Sequence, residues 1–522
     1  MAVCVLLLAA GCNDFLERQS QNEIIPVTTE HYKELLQGEG YFQKVLRNYR
    51  FVAYMSDDVE WFDARINGTL PPGSGSLSDD GIDEYGDSYT WQREVENDDF
   101  TDRGYLYFYS QVLIANICLD AVDDTDGTQA EKEILRGQAA FTRAFAYFIL
   151  ANTYGPAYNT ASPADLCIPI NRAVAPTPDP IARATMREVW DELIVHDIGT
   201  ALDNLRGKNI NNLYEIKYSS ALVLAMRIAL YMERWDDAIA YGEEFLALDR
   251  YPLQDISMQT RATAIAGGEG DVTVVNFMNR NNSELTWVFG EADAGSVGSN
   301  TFASVLYPTN NAAAFFRASE TNESGIEGVL NTFDFQRIDM NTVSGDRRRC
   351  YWFIEKVFAA GSLWVARPFA DRVLKFDHND GLAGQFALRT GEVYITLAEA
   401  YARSGNPDNG RAVQLLNDLR VKRIAPYTSL STSDFPQGGK TLVQFILEER
   451  RRELCFEEMH RWWDLRRTGQ PRIVHRLRNV YYVLDENDPA YVVNFPELER
   501  SYNGPFLVPN YRPERGQQNN PF

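Results

Sequence analysis

The sequence predicts a mostly α protein, in which helical hairpins form the scaffold and an irregular, loop-rich lobe is inserted between them. Two observations favour this fold class. Apolar residues recur at helical spacing through most of 103–249 and 390–470. Residues 261–385 are instead rich in glycine, asparagine, serine and aromatic residues, with short strand-like runs at 272–277 and 285–289. The length of 522 residues, 45% of them hydrophobic, suffices for one large domain or a few ordinary ones.

The chain begins with an apolar segment that is typical of an export signal. Residues 1–11 contain no charged residue and are too short to span a bilayer. The sequence Ala9-Ala10-Gly11-Cys12 is similar to a bacterial lipobox, which predicts that Cys12 carries lipid. An ordinary buried N-terminal segment is the alternative, and the polar residues directly after Cys12 disfavour it. Since no other segment approaches transmembrane length, we expect lipid to be the only membrane attachment.

Five helices are predicted before the irregular lobe. They lie at 103–124, 130–153, 186–205, 214–232 and 235–249. In the second helix, Gly137, Ala140 and Ala144 leave a groove that lets a neighbouring helix approach closely. Thr185 is the expected N-cap of the third helix, and Glu188 is its capping-box partner.

Two of the predicted hairpins have the length of one tetratricopeptide repeat. One is formed by the helices that flank Arg234, and the other lies at 390–421 with its turn at 404–407. Each is close to the repeat length of about 34 residues, which predicts a tetratricopeptide-like helical-hairpin scaffold. Unrelated hairpins in a helical domain are the alternative, and they give the same fold class.

The most specific pattern lies at 440–470. An apolar stripe is followed by six consecutive charged residues and then by an apolar and aromatic block. This predicts one long, partly buried helix whose charged middle is neutralised by pairs such as Glu448 with Arg452. Trp462 and Trp463 are assigned to the scaffold.

These patterns divide the chain into five parts. They are a lipoprotein signal peptide (1–11), a lipid-anchored tether (12–28), an N-terminal helical region with a Gly-, Ser- and Asp-rich loop at 63–90 (29–260), an irregular ligand-binding lobe (261–385), and a C-terminal helical region and tail (386–522). A loop as long as 63–90 is usually functional or disordered.

The net charge and the motif content of the sequence disfavour several classes of function. The net charge of −23 disfavours nucleic-acid binding, which needs a basic surface. The five histidines have no close metal-ligand spacing, the six cysteines form no C-x-x-C pair, and no phosphate-binding loop or serine-hydrolase motif is present. We therefore expect no cofactor and no metal.

The stretch ERRRELCFEEMHRWWDLRRTG at 449–469 resembles the C-terminal signature of the SusD/RagB family. Weaker similarities follow the family's order at 136–154, 165–205, 386–423 and 506–509, and in the terminal QNNPF. Glu458 departs from the pattern, since the family often has glycine there.

The resemblance implies a function as well as a fold. Members of the family are outer-membrane lipoproteins at the cell surface on a tetratricopeptide-like scaffold. They bind oligosaccharides, or peptides in some branches, and deliver them to a SusC-like TonB-dependent transporter. By this resemblance the chain is a non-catalytic, glycan-binding subunit.

Sugar rings stack on aromatic side chains, and their hydroxyl groups bond to polar residues, so aromatic residues in loops are the candidates for a glycan site. These are Trp61, Tyr85, Tyr89, Trp287, Tyr307, Phe316, Trp352 and Trp364. The polar candidates nearby are Asp58, Arg65, Asn67, Asn310 and Arg317. Trp91 is left out because the resemblance implies a packed tryptophan there, since the family often has one just before the helix that starts near Arg103.

Two rival functions remain at this level. A secreted carbohydrate-active enzyme would need two carboxylates placed by the fold, which 73 acidic residues neither establish nor exclude. A peptide- or protein-binding helical-repeat lipoprotein would use a concave helical face and show no affinity for glycans.

Overall fold

The computed structural model describes most of the chain, and the structural statements below concern that part. The described residues are 26–43, 49–61, 80–176, 178–257, 277–290, 306–308, 345–346, 348, 353–360, 363–373, 386–455, 457–477 and 480–519.

Helices form most of the described framework, which confirms the mostly α fold class. In chain order they are α1 (Thr29–Leu35), α2 (Phe51–Tyr54), α3 (Asp80–Tyr89), α4 (Gly104–Ala121), α5 (Gln129–Tyr154), α6 (Met186–Val189), α7 (Val195–Leu205), α8 (Tyr218–Tyr231), α9 (Trp235–Ala247), α10 (Thr390–Arg403), α11 (Asn409–Arg420), α12 (Leu442–Leu454), α13 (His460–Arg467) and α14 (Glu497–Asn503). A π-helical turn, Trp190–Ile194, joins α6 to α7.

The strands are short and form antiparallel pairs. The pairs are β1 (Val59–Trp61) with β5 (Leu306–Pro308), β2 (Leu166–Pro169) with β3 (Arg183–Thr185), β4 (Leu285–Phe289) with β9 (Phe386–Arg389), β6 (Gly345–Asp346) with β10 (Ile424–Ala425), β7 (Phe353–Ala360) with β8 (Leu363–Val373), and β11 (Ile473–Leu477) with β12 (Val480–Leu484).

The helical hairpins join the two halves of the chain. α8 packs with α9, α10 packs with α11, and α9 contacts α10 across the boundary between the halves. A Cβ atom on Gly242 of α9 would lie 2.6 Å from the Leu397 side chain of α10, so glycine permits this close contact. The two hairpins that the sequence predicts therefore stack on each other.

The long insertion leaves and re-enters the scaffold at one place. Phe289 of β4 pairs with Phe386 of β9, so the chain before residue 290 meets the chain after residue 385. The strand-like run predicted at 285–289 is confirmed as β4.

Helix ends and contacts agree with the local sequence signals. Thr185 caps α6, its hydroxyl accepts from the Glu188 backbone N–H, and the Glu188 carboxylate accepts from the Thr185 backbone N–H at 2.7 Å. A Cβ atom on Gly137 of α5 would lie 2.7 Å from Leu205 of α7, as the predicted small-residue groove requires. These features were predictable because a few neighbouring residues determine them.

Two predictions about local structure are wrong. Residues 80–89 form α3, so the predicted loop at 63–90 ends in a helix. The predicted helix at 440–470 is broken into α12 and α13, because Cys455 is extended and Glu458 has a positive φ of 46°. The break turns the carboxylates of Glu457 and Glu458 towards arginines of other elements.

Buried arginines and carboxylates form a network around this break. Its members, which we call the buried ion-pair network, are Arg227, Glu284, Arg348, Arg389, Glu392, Arg423, Glu449, Glu453, Glu457 and Glu458. Arg452 contacts Glu449 at 3.0 Å, while Glu448 contacts Lys440, so the predicted pairing of Glu448 with Arg452 is corrected.

Arg389 is the centre of this network. Its guanidinium donates to both oxygens of Glu457, at 2.6 and 2.9 Å, and its Nη1 donates to Glu453 at 2.7 Å and to Glu284 at 2.9 Å. Burial raises the pKa of Glu453, but the neighbouring guanidiniums of Arg423 and Arg389 outweigh burial and hold that pKa well below its usual value. Glu453 is therefore ionised at neutral pH, whereas burial raises the pKa of Glu458 to about 7 against the opposing guanidinium of Arg227.

We expect Arg389→Met to lower the free energy of unfolding by about 3–5 kcal/mol, because it leaves buried carboxylates without a counter-charge. Arg206→Met is the matched control, since Arg206 pairs with Glu244 at the surface with 57% of its side chain exposed. Its loss should be below about 1 kcal/mol. Urea unfolding of both variants measures the difference, and equal losses would contradict the importance of the network.

Candidate ligand-binding site

The residues between α2 and β1 are held by arginines from the other end of the chain. Arg461 donates from Nε and Nη2 to the two carboxylate oxygens of Asp57, at 2.6 and 2.7 Å. Arg451 donates from Nε to Asp58 Oδ1 at 2.8 Å and from Nη2 to the Asp57 carbonyl at 3.0 Å. We call residues 55–61 the site segment, because these bonds fix the start of β1.

The two carboxyl groups of the site segment differ electrostatically. Burial raises the pKa of Asp57, but Arg451 and Arg461 outweigh it and hold that pKa below its usual value. Burial raises the pKa of Asp58, and the charge of Asp57 adds to the rise while the arginines oppose it. One carboxylate oxygen of Asp58, Oδ2, is buried and accepts no hydrogen bond from the part of the chain that the structure describes. Of the two carboxylates, Asp57 is therefore the one that is stabilised in its ionised form by Arg451 and Arg461.

Two strands bring distant candidate positions together. Trp61 pairs with Leu306, and Tyr307 pairs with Glu60, in the β1–β5 ladder. β5 also contacts β8, the strand that contains Trp364. We call β1, β5 and β8 the strand cluster, because β5 contacts both other strands and the three strands carry three of the predicted aromatic residues.

Three of the predicted ligand-stacking aromatic residues lie in buried strands or helices and not in loops. Trp287 lies in β4 with no exposed surface, and its ring packs against Phe289 at 4.6 Å and Phe141 at 5.2 Å between centroids. Tyr85 and Tyr89 are buried residues of α3. The expectation that these rings lie in loops is wrong, because each fills the hydrophobic core.

Asp58 is also corrected as a direct ligand contact. The Asp58 side chain is buried and accepts a hydrogen bond from Arg451. In the structure it therefore holds the site segment in place. Trp91 is fully buried, as expected, and its Nε1 donates to the Met55 carbonyl at 2.9 Å. Trp462 and Trp463 are buried in the scaffold, also as expected.

The remaining candidates lie outside the described residues. They are Arg65, Asn67, Asn310, Phe316, Arg317 and Trp352, together with the lipidation candidate Cys12. They stay predictions from the sequence.

Sequence reasoning missed the role of Arg451 and Arg461. Both lie in the signature stretch, for which the sequence predicts only a long helix with a neutralised charged middle. The available signal was the pair Asp57-Asp58, which needs counter-charges when buried. Nothing local in the sequence shows that those charges come from nearly 400 residues later.

One polar groove of the described structure contains none of the predicted ligand-binding residues. It is lined by charged residues that include Arg172, Arg183, Glu188 and Glu192. Arg183 donates to the carbonyls of Cys167 and Leu166, both at 2.8 Å, and so is already bonded. This groove is therefore a weaker site candidate than the strand cluster.

The described residues contain neither a cluster of metal ligands nor a membrane-spanning helix. No group of three or more potential ligands among His, Cys, Asp and Glu is placed to hold a metal ion in the described ranges. Within the same ranges, no helix combines the length and apolar character needed to cross a bilayer.

Two family models match the chain in order. A model described as "Starch-binding associating with outer membrane" matches residues 72–230, and one described as "SusD family" matches residues 348–508. The second match includes α12 and α13, which carry Arg451 and Arg461.

Similar proteins span almost the whole chain. A SusD-like protein of Bacteroides ovatus is 23% identical over 487 residues, which cover 89% of this chain and 81% of the relative. A SusD-like carbohydrate binding protein from Bacteroides vulgatus has a TM-score of 0.60 at 20% identity, covering 91% of this chain and 97% of that structure. A laminarin binding SusD-like protein has a TM-score of 0.56 at 16% identity, covering 93% and 99%. At such identities the structural likeness establishes the fold.

We expect Trp287→Ala to lower the free energy of unfolding by about 3–5 kcal/mol, because it opens a cavity in the aromatic core. Tyr502→Ala is the control, since Tyr502 is 78% exposed and its loss should be within about 0.5 kcal/mol. Chemical unfolding of both variants tests this. If Trp287→Ala were as stable as the wild type but had lost ligand affinity, Trp287 would be a ligand-binding residue, as the sequence predicted.

Proposed function

The chain belongs to the SusD-like family, and from that premise we propose that it binds oligosaccharides at the cell surface without cleaving them. The match of residues 72–230 to a model described as starch-binding carries the proposal. The fold shared with carbohydrate- and laminarin-binding proteins supports it. Neither matching model describes a catalytic family.

The strand cluster is the proposed binding surface. Trp61, Tyr307 and Trp364 are the residue types that stack on the apolar faces of pyranose rings. The adjacent site segment is fixed by Arg451 and Arg461, so β1 is held before the ligand arrives. A site organised in this way loses less conformational entropy on binding.

Delivery to a transporter is the second part of the proposal. Lipid on Cys12 would hold the protein in the outer membrane, and a SusC-like TonB-dependent transporter would receive the oligosaccharide. The description of the family as associating with the outer membrane supports this location. Binding of a peptide and hydrolysis of the bound glycan are the two alternative functions, and the binding experiments distinguish them.

We expect Trp61→Ala and Trp364→Ala each to weaken glycan binding about tenfold or more, because each removes a stacking surface. Starch and laminarin are the first ligands to test, by affinity gel electrophoresis and calorimetry. Tyr502→Ala, an exposed aromatic outside the strand cluster, is the matched control and should bind as the wild type does.

Three results would change the proposal. Wild-type affinity in both tryptophan variants would move the site away from the strand cluster. Release of reducing sugars by the purified protein would favour an enzyme. Binding of peptides with no binding to any glycan would favour the peptide-binding alternative.

We expect Cys12→Ser to remove lipid labelling and to move the protein from the membrane fraction to the soluble fraction, because the thiol is the proposed lipidation site. Cys4→Ser is the control, since Cys4 lies within the predicted signal. Metabolic labelling with a fatty acid measures the difference. Unchanged labelling of Cys12→Ser would contradict the anchor.

A further inference from the structure

One buried guanidinium lies between two carboxylates beside the break that separates α12 from α13. Arg227 of α8 donates from Nε and Nη2 to the two carboxylate oxygens of Glu392, at 2.6 and 2.7 Å. It also donates from Nη1 and Nη2 to the two oxygens of Glu458, at 2.8 and 3.0 Å. The side chains of Arg227, Glu392 and Glu458 are 0, 1 and 5% exposed, so two carboxylates share one positive charge away from water. We call these three residues the Arg227 cluster.

The charged groups around the Arg227 cluster have ion-pair partners of their own. Glu457, the residue before Glu458, accepts from Arg389 at 2.6 Å. Arg450 of α12 donates to Asp464 of α13 at 2.8 Å. If both carboxyl groups of the Arg227 cluster were ionised, one buried negative charge would therefore lack a counter-charge of its own.

His460 of α13 faces the same carboxyl group but brings no positive charge. Its Nε2 lies 3.7 Å from Glu458 Oε1, and its Nδ1 lies 3.5 Å from Nη2 of Arg450. A guanidinium nitrogen can only donate, so Nδ1 is the acceptor and the ring proton is on Nε2. In this neutral tautomer His460 directs an N–H towards Glu458 and leaves the charge of the Arg227 cluster unchanged.

Glu458 is the more weakly bound of the two carboxylates, since its bonds to Arg227 are longer than those of Glu392. Burial raises the pKa of Glu458 from 4.5 to about 7 against the opposing guanidinium of Arg227. The charges of Glu392 and Glu457 add to that rise. Because the pKa is higher in the folded protein than in the unfolded chain, the stabilisation that the proton gives is complete below about pH 4.5 and is lost as the pH rises through about 7.

The place of Glu458 in the chain gives its proton a structural consequence. Its φ of 46° lies in the left-handed region, which glycine adopts without steric cost and glutamate does not. Three residues later, Arg461 of α13 bonds both carboxylate oxygens of Asp57 in the site segment. The bonds between Glu458 and Arg227 therefore help to hold the break, and with it α13, against α8.

We propose that the break between α12 and α13 is proton-dependent, because Glu458 shares Arg227 with Glu392 as a neutral carboxyl group and weakens the docking of α13 when it ionises. A protonated carboxyl group still accepts a hydrogen bond from the guanidinium and removes the second negative charge. Ionisation above neutral pH places two negative charges on one guanidinium, so α13 and the site segment open more readily. This inference goes beyond the proposed function and needs no ligand.

Glu458→Gln tests the proposal, because glutamine has the shape of the protonated carboxyl group and cannot ionise. Between about pH 6 and about pH 8, we expect the unfolding equilibrium constant of the wild type to rise about tenfold more than that of Glu458→Gln, as a single proton with this pKa requires. Urea unfolding of both proteins at the two pH values measures the difference. Asp102, whose pKa burial also raises to about 7, contributes equally to both proteins, so the comparison isolates Glu458.

Two further variants serve as controls. Glu486→Gln removes an exposed carboxyl group and should keep the pH dependence of the wild type. Glu458→Gly removes the carboxyl group and also permits the left-handed backbone, so it should lose the same pH dependence as Glu458→Gln.

Hydrogen exchange locates the effect in the chain. After correction for the chemical exchange rate, amides of residues 457–467 and 55–61 should lose about tenfold more protection in the wild type than in Glu458→Gln between about pH 6 and about pH 8. Amides of α14, which contains no buried residue, are the internal control and should change equally in both proteins.

Two results would overturn the proton-dependent break. One is a folded Glu458→Gln protein with the pH dependence of the wild type, and the other is wild-type protection of residues 457–467 that is equal at both pH values. If Glu458→Gln does not fold, Glu458→Gly and hydrogen exchange of the wild type decide. Neither measurement uses a glycan, so failure of the proposed function leaves this inference standing.

Discussion

Buried pairing between guanidinium and carboxylate groups is the constraint on which most of the described structure depends. An ionised group in a protein interior costs several kcal/mol unless a counter-charge is placed against it. Arg389, Glu453 and Glu457 satisfy that requirement only when β9, α12 and the residues directly after α12 are assembled together. Arg227 extends the same requirement to α8, since it bonds both Glu392 and Glu458. The network therefore specifies one arrangement of segments that are far apart in the chain.

Because α12 and α13 are separate helices, the signature stretch makes two sets of contacts. Towards the interior, Glu453 and Glu457 bond the arginines of the buried ion-pair network. Towards the site segment, Arg451 and Arg461 bond Asp57 and Asp58. A continuous helix would direct these residues along one straight axis, so the left-handed backbone at Glu458 lets α13 contact α2 and lets Arg461 bond Asp57, which follows α2. The scaffold and the proposed binding surface thus share a single structural element.

The insertion leaves and re-enters the scaffold at a single strand pair. Its two ends meet in the β4–β9 pair, where Trp287 and Phe289 anchor the aromatic core. Loops that leave and return at one point tolerate changes in length and sequence better than the elements that carry them. β5 and β8 lie within this insertion and contact each other, while β5 also pairs with β1 of the N-terminal region. The strands of the proposed binding surface and the helical scaffold are therefore separate in the chain but contact each other in the fold.

The sequence by itself determined the features that depend on neighbouring residues. These include the long helices, the Thr185 capping box, the small-residue contact at Gly137, and the family to which the signature stretch points. Only the tertiary structure decided which of the candidate aromatic residues are core, because a tryptophan outside a recognised motif has the same local signal in either place; Trp287 is buried. It also decided the pairing of β1 with β5 and of Asp57 with Arg461, because such contacts depend on how distant segments pack, which no local pattern encodes.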